Sequence, residues 1–178
     1  MKDFPTGRHG VAVLLSAEGQ ERHDDPTDHR SGVDGSDASN HALRTALEDT
    51  QARGGAVRVI TAWSWTGQYS AEMMFAAPDL SPREATQIQE RSVARVLQKL
   101  TAPPFIDRHL VEGSPGPSLL KASRGADYLV VGSEHKEFLK RTAIGSTSEY
   151  CVQHSDIPVL VVPLVDRELH SPVNRGDR

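Results

Sequence analysis

The stretch from Val130 to Tyr150, VVGSEHKEFLKRTAIGSTSEY, holds the residue types that bind phosphate. Gly132 and Gly145 offer backbone that an anion can approach closely, and Ser133, Ser146, Thr147 and Ser148 offer hydroxyl donors. A helix start presents unpaired N–H groups and a partial positive charge, worth about 0.3–1 kcal/mol to a nearby anion. Lys136, Lys140 and Arg141 lie between the two glycines and would neutralise phosphate charge if the loop folded over a ligand. A plainer reading competes with this one. Ser146 to Glu149, STSE, also spells a capping box, in which serine caps the helix and glutamate offsets its dipole with no ligand present. The apolar strand directly before the loop keeps the two readings level.

Other chemistry finds less support. No lysine-serine pair follows a glycine loop, no G-x-S-x-G elbow is present, and no pair of acids stands out, so no catalytic residue is assigned. At most slow hydrolysis of a bound ligand is expected, with Asp34 or His135 polarising a water. His23, Asp24, Asp25, Asp28 and His29 are metal-ligand types, but they fall in a stretch without a rigid element to fix them, and a solvated linker is the expectation. Cys151 is the single cysteine, placed in a helical pattern as a small core residue.

Alternating strand and helix signals must position these groups. DASNHALRTALEDTQARGG sets Leu43, Ala46, Leu47 and Thr50 on one helical face, with Ser36 or Asp37 to cap it and Gly54-Gly55 to end it. AVRVITAW reads as a strand, SPRE at Ser81–Glu84 as a helix start, FIDRHLV as a strand, and SPGPSLLKASRG as a short helix. DYLVVGS, the helix Ser146–His154 and IPVLVVP follow. Strands separated by helices, two of them almost wholly apolar, predict a doubly wound α/β fold, a parallel sheet with helices on both faces. In such sheets ligands bind at the carboxyl ends of the strands, where the winding reverses.

The first strand has two placements, Val11–Leu15 or the polar Arg30–Asp34, and continuity with the next helix favours the second. The predicted organisation is a flexible extension over 1–29, one α/β domain over 30–163 and a flexible tail over 164–178. Trp65, Tyr69, Met73, Met74 and Phe75 fall in a long connection expected to cover the sheet edge or a partner.

Composition bounds the rest. The chain of 178 residues carries a formal charge of −4, which does not suggest nucleic acid as the main partner. Its longest apolar runs are far short of the roughly 20 residues that span a bilayer, and no secretory signal is recognised. A cytoplasmic protein is the expectation.

On these motifs the sequence resembles the universal stress protein family. Gly132, Gly145 and Ser146 fall on the family's G-x-x-G, nine residues, G-[S/T] loop; PVLVV at Pro158–Val162 matches its last strand, and GVDGSDASNHALRTAL and VRVITAW its first helix turn and second strand. The resemblance implies a five-stranded parallel sheet in order 3-2-1-4-5 and a homodimer formed through the strand at 157–163. It implies an adenine nucleotide, ATP with Mg2+ as companion ion, acting as a switch. Asp34, the Ala62 backbone and Val131 would face adenine, and Gly132, Ser133, Gly145, Ser146 and Thr147 would hold ribose and phosphates. His135 stands where the family has its second glycine, at a cost on the order of 1 kcal/mol if that backbone is left-handed. Its imidazolium would instead favour phosphate and make affinity pH-dependent; the adjacent Glu134 opposes binding. The alternative is a nucleotide-independent interaction module of the same fold, with Trp63–Phe75 as contact surface.

Overall fold

The computed structural model describes residues 12–14, 27–64, 80–134 and 145–164. In chain order these form β1 (Ala12–Leu14), β2 (Thr27–Gly32), α1 (Asp37–Arg53), β3 (Gly55–Trp63) and α2 (Pro82–Leu97). There follow β4 (Phe105–Glu112), α3 (Pro115–Ala122), β5 (Tyr128–Glu134), α4 (Ser146–His154) and β6 (Val159–Leu164). They share one six-stranded sheet in the order β1-β6-β5-β2-β3-β4. The strands β2 to β6 pair in parallel, and β1 lies antiparallel against β6. Set β1 aside and the order is the expected five-stranded 3-2-1-4-5.

Each helix forms where its sequence caps it and packs where its apolar face points. Ser36 caps α1, which buries Ala42, Leu43, Ala46 and Leu47, and Gly54 at φ 80 ends it. Ser81 and Glu84 close the capping box of α2. One core cluster joins these two helices to Val57, Val59 and Val130; a second, on the opposite face, gathers Ile60, Leu119, Leu129, Val131, Cys151 and Val159. Burial pushes the Cys151 thiol up to about 11, which fits an inert core residue.

One sequence expectation needs correction. The polar stretch expected to lack regular structure up to Arg30 enters the sheet at Thr27, so the central strand is TDHRSG. It tolerates the burial of His29 and Arg30 because both are paired, although the Oγ of the buried Ser31 has no hydrogen-bond partner among the described residues. His29, 2% exposed, sets Nδ1 2.6 Å from Thr50 Oγ1 and Nε2 3.4 Å from Asp49. Arg30, also buried, forms an ion pair with Asp28 and reaches the Ala122 carbonyl. The outer edge of β6, the strand through which a homodimer was expected, pairs with the chain's own β1, with Ala12 opposite Val161 and Leu14 opposite Val159. Within Val11–Leu15, Ala12–Leu14 thus supplies a strand as well, at the edge and not at the centre. Among the described residues no helix is long and apolar enough to cross a membrane.

Candidate functional site

The winding reverses between β2 and β5, because the chain leaves β2 for β3 on one side and returns to β5 on the other. The crevice at the carboxyl ends of these two strands is where such a sheet accepts a ligand. Five of the predicted site residues lie at this edge by strand register: Asp34 beyond β2, Ala62 near the end of β3, and Val131, Gly132 and Ser133 in β5. Gly145, Ser146 and Thr147 join them at the start of α4, which is tied to β5 by a bond from Ser148 Oγ to the Gly132 carbonyl at 2.6 Å. His135, Lys136, Lys140 and Arg141 lie outside the described residues, as do Trp65, Tyr69, Met73, Met74 and Phe75.

The loop after β2 closes on itself. Asp34 accepts from the Ser36 backbone N–H at 3.0 Å, Ser36 Oγ accepts from Ser39 N at 3.1 Å, and Ser39 Oγ donates to the Ser36 carbonyl. Partial desolvation alone would raise the Asp34 carboxyl, but hydrogen bonds from Ser36 and Ser39 outweigh it and hold it below the usual range. An ionised carboxylate is acceptor-only, the complement of an exocyclic amine such as that of adenine. Gly35, at φ 88, makes the turn between them.

Ala62 contributes backbone. Ile60 O accepts from Val33 N, and Trp63 O accepts from Gly113 N. Alternate residues of β3 therefore face β2 and β4 in turn. Register with β2 ends at Gly32 opposite Ile60, so the Ala62 N–H and C=O turn toward the space that β2 leaves as it enters the Asp34 loop. Val131 is 3% exposed and belongs to the core cluster, so its side chain forms the wall beneath the crevice.

Gly132 is a glycine for a packing reason. A Cβ there would fall 2.4 Å from the backbone of Ala38, in the first turn of α1. One residue on, Ser133 is 2% exposed, and its Oγ has no hydrogen-bond partner among the described residues. It shares the strand face of Leu129 and Val131, the face that carries α4. An orphaned buried hydroxyl beside a helix start is what a polar ligand would satisfy.

The start of α4 does not form the capping box that STSE spells. Its N-cap is Gly145, whose carbonyl accepts from Glu149 N at 2.8 Å, and no side chain caps the helix. Ser146 is therefore the first helical residue, and the capping box does not form. Among the described residues no side chain accepts from the N–H groups of the first turn. Ser148, taken from the sequence as a phosphate donor, gives its hydroxyl to Gly132 instead. Gly145 itself has φ −59, and a Cβ there would meet only Ser148 Oγ, at 3.9 Å. Sequence reading missed Ser36 and Ser39 as a unit; the D-x-S-x-x-S spacing after the strand was its signal.

The chain was compared with known families, curated proteins and solved structures. The model of the universal stress protein family matches residues 31–163. The universal stress protein Rv1996 of Mycobacterium tuberculosis is 27% identical over 156 residues, covering 86% of this chain and 49% of that protein. The chain thus spans about half the length of the curated relatives it matches. Among solved structures, a universal stress protein in complex with cAMP aligns with a TM-score of 0.57 at 22% identity, over 76% of this chain and 96% of that one. The Archaeoglobus fulgidus universal stress protein in complex with dAMP aligns at 0.55 and 18%, over 76% and 97%. At such identities these structures speak for the fold alone.

Proposed function

The chain belongs to the universal stress protein family, and from that premise we propose that it is a stress-response regulator that binds an adenine nucleotide, ATP, at the carboxyl edge of its sheet. One observation carries this reading. Among the described glycines, Gly145 alone has neither a positive φ nor a close contact that a Cβ would violate. The fold does not ask for glycine there; close approach of a phosphate to the backbone does. In support, the uncapped N–H groups of α4 and the orphaned Ser133 hydroxyl lie on the same side of β5, and Asp34 and the Ala62 backbone offer an acceptor carboxylate and a donor–acceptor pair.

Under this reading Asp34, Ala62 and Val131 form the base end, and Gly132, Ser133, Gly145, Ser146 and Thr147 the ribose and phosphate end. His135 falls in the loop between them, and Mg2+ accompanies the phosphates. Two structural relatives were solved with cyclic or deoxy adenine mononucleotides, which is compatible with adenine as the shared element. Nucleotide binding would act as a switch by favouring one conformation or partner set. A homodimer through residues 157–163 would require β1 to leave β6.

Calorimetry on the nucleotide-stripped chain, with and without magnesium, tests the reading. One-site binding of ATP at micromolar concentration is expected, and Gly145→Val should weaken it by about a hundredfold or more while the fold persists; a hundredfold is roughly 2.7 kcal/mol. Folded protein that takes up no ATP at millimolar concentration would sink the proposal and favour the nucleotide-independent interaction module.

A further inference from the structure

Of the three large apolar side chains exposed among the described residues, two stand on one strand: Phe105, 71% exposed, and Leu110, 36%. That strand is β4, which ends the sheet on the side opposite β1, and among the described residues no strand pairs with its outer edge. We propose that this edge is a two-fold pairing surface for β4 of a second copy of the chain, with Arg108 on the axis.

The backbone decides which groups are on offer. Gly113 N donates to Trp63 O, and the parallel register with β3 runs unbroken from Phe105 to Glu112. The odd-numbered residues of β4 therefore turn their N–H and C=O groups toward β3, and Ile106, Arg108, Leu110 and Glu112 turn theirs outward. No proline or bulge interrupts the eight residues of the strand. A continuous edge of this kind is a template for another strand.

The side chains supply the partner. A two-fold axis normal to the sheet sets β4 antiparallel to its copy. Hydrogen-bonded pairs then join outward residues, so the axis falls on a residue. With Arg108 there, Ile106 lies opposite Leu110 of the second copy, Phe105 opposite its Val111, and Asp107 opposite its His109, each pair occurring twice. Ile106 belongs to the face of α1 and α2 and Val111 to the other, so apolar meets apolar on both faces of the joint sheet. Cross-strand pairs of these kinds stabilise a sheet. Arg58 Nε and His109 Nε2 both reach Asp107 through Oδ2, at 2.8 Å, which leaves Oδ1 to accept from the histidine across the axis. Arg108 meets its own copy, a like-charge contact that Glu90, 3.9 Å away on α2, offsets. Neighbouring registers fit less well. An axis on His109 sets Ile106 against Glu112, one on Asp107 sets it against Arg108, and one on Leu110 overlaps only Arg108 to Glu112. The edge thus fits a second copy in one register.

The test uses the full chain. Arg108→Pro removes an outward N–H and none that β3 uses. It should at least halve the mass that light scattering finds at high micromolar concentration, with an unchanged far-UV spectrum. In Arg108→Cys the two thiols stand on the axis, with Cα atoms about 5.5 Å apart and within disulfide reach. In Leu110→Cys they stand about 13 Å apart, four residues' rise along the strand. Mild oxidation should therefore join Arg108→Cys chains about tenfold faster than Leu110→Cys chains. The buried Cys151 does not compete. A monomeric native chain, a mass that the proline change leaves unaltered, equal or reversed crosslinking rates, or no crosslink in either variant would each overturn the proposal. If Arg108→Pro fails to fold, the cysteine variants decide alone, a preference for Arg108→Cys supporting the surface and its absence refuting it.

Discussion

Two helices begin at the same edge of the sheet and treat their first turns in opposite ways. At α1, Asp34 accepts from the Ser36 N–H and Ser36 Oγ accepts from Ser39 N, so a first-turn donor is answered by the N-cap side chain. At α4 the N-cap is a glycine, and among the described residues no side chain caps the first turn. A serine cap is worth a few tenths of a kcal/mol over a glycine one, so a glycine N-cap beside a crevice is a small local loss of stability. Such losses concentrate at sites where another requirement prevails. The difference teaches that one helix start is built for the fold, and the other is left available.

Gly132 gives the largest way to break the comparison, since it lies between the two helix starts. Its Cβ would meet the Ala38 backbone at 2.4 Å, and backbone cannot swing aside as a side chain can. Gly132→Val should cost about 3 kcal/mol or more and lower Tm by about 6–12 °C in thermal melts. At Gly145, where a Cβ would make only an ordinary contact with Ser148 Oγ at 3.9 Å, the same change to valine should leave Tm within about 1 °C. If both variants melt alike, the two glycines do not differ as described.

The far end of α1 is also pinned, by the His29–Thr50 contact, and pH probes it. Burial lowers the His29 pKa from its usual 6.5, with Asp49 opposing. The folded state therefore keeps His29 neutral while the unfolded chain takes a proton, so stability is full above about 6.5 and falls as pH drops below it, by up to about 1.4 kcal/mol per pH unit until the folded pKa is reached. Denaturant melts at pH 7.5 and 5.5 should show this loss, and His29→Gln should flatten it. An equal slope in both proteins would place the proton elsewhere.

Much of the fold was legible because its signals are local. The periodicity of α1 and α2, the SPRE box and the apolar runs of β5 and β6 each occupy a few adjacent residues. What resisted reading was long-range. His29 and Arg30 look unsuited to a central strand until Thr50, Asp49 and Ala122 supply partners from elsewhere in the chain. The role of Gly132 depends on how closely α1 approaches, and β1 on which edge it finds; neither has a sequence period. STSE was ambiguous because a capping box and an N1 serine share the same letters, and only the path of the chain at Gly145 separates them.

A smaller effect is expected from removing the cap that α1 does have. Ser36→Ala should cost about 1 kcal/mol, or roughly 2–4 °C in Tm, because Ser39 N loses its acceptor. ATP affinity should fall less than it does in Gly145→Val, because the change leaves the α4 start untouched. A loss of affinity as large as that of Gly145→Val would mean that the two helix starts act as one site.

The smallest change sharpens the comparison most, because it makes α4 resemble α1. Serine at an N-cap stabilises a helix by a few tenths of a kcal/mol over glycine, and the backbone at Gly145, φ −59 and ψ 149, already has the extended geometry of Ser36 and Ser81. Gly145→Ser should therefore raise Tm by about 1 °C. Its hydroxyl would accept from the first-turn N–H groups that a phosphate would otherwise engage, and its Cβ would hold the ligand off the backbone. Stability and ATP affinity should then move in opposite directions, the signature of a site maintained against the preference of the fold. A variant that gains both would show that the open start of α4 serves no ligand, and that its missing cap has another cause.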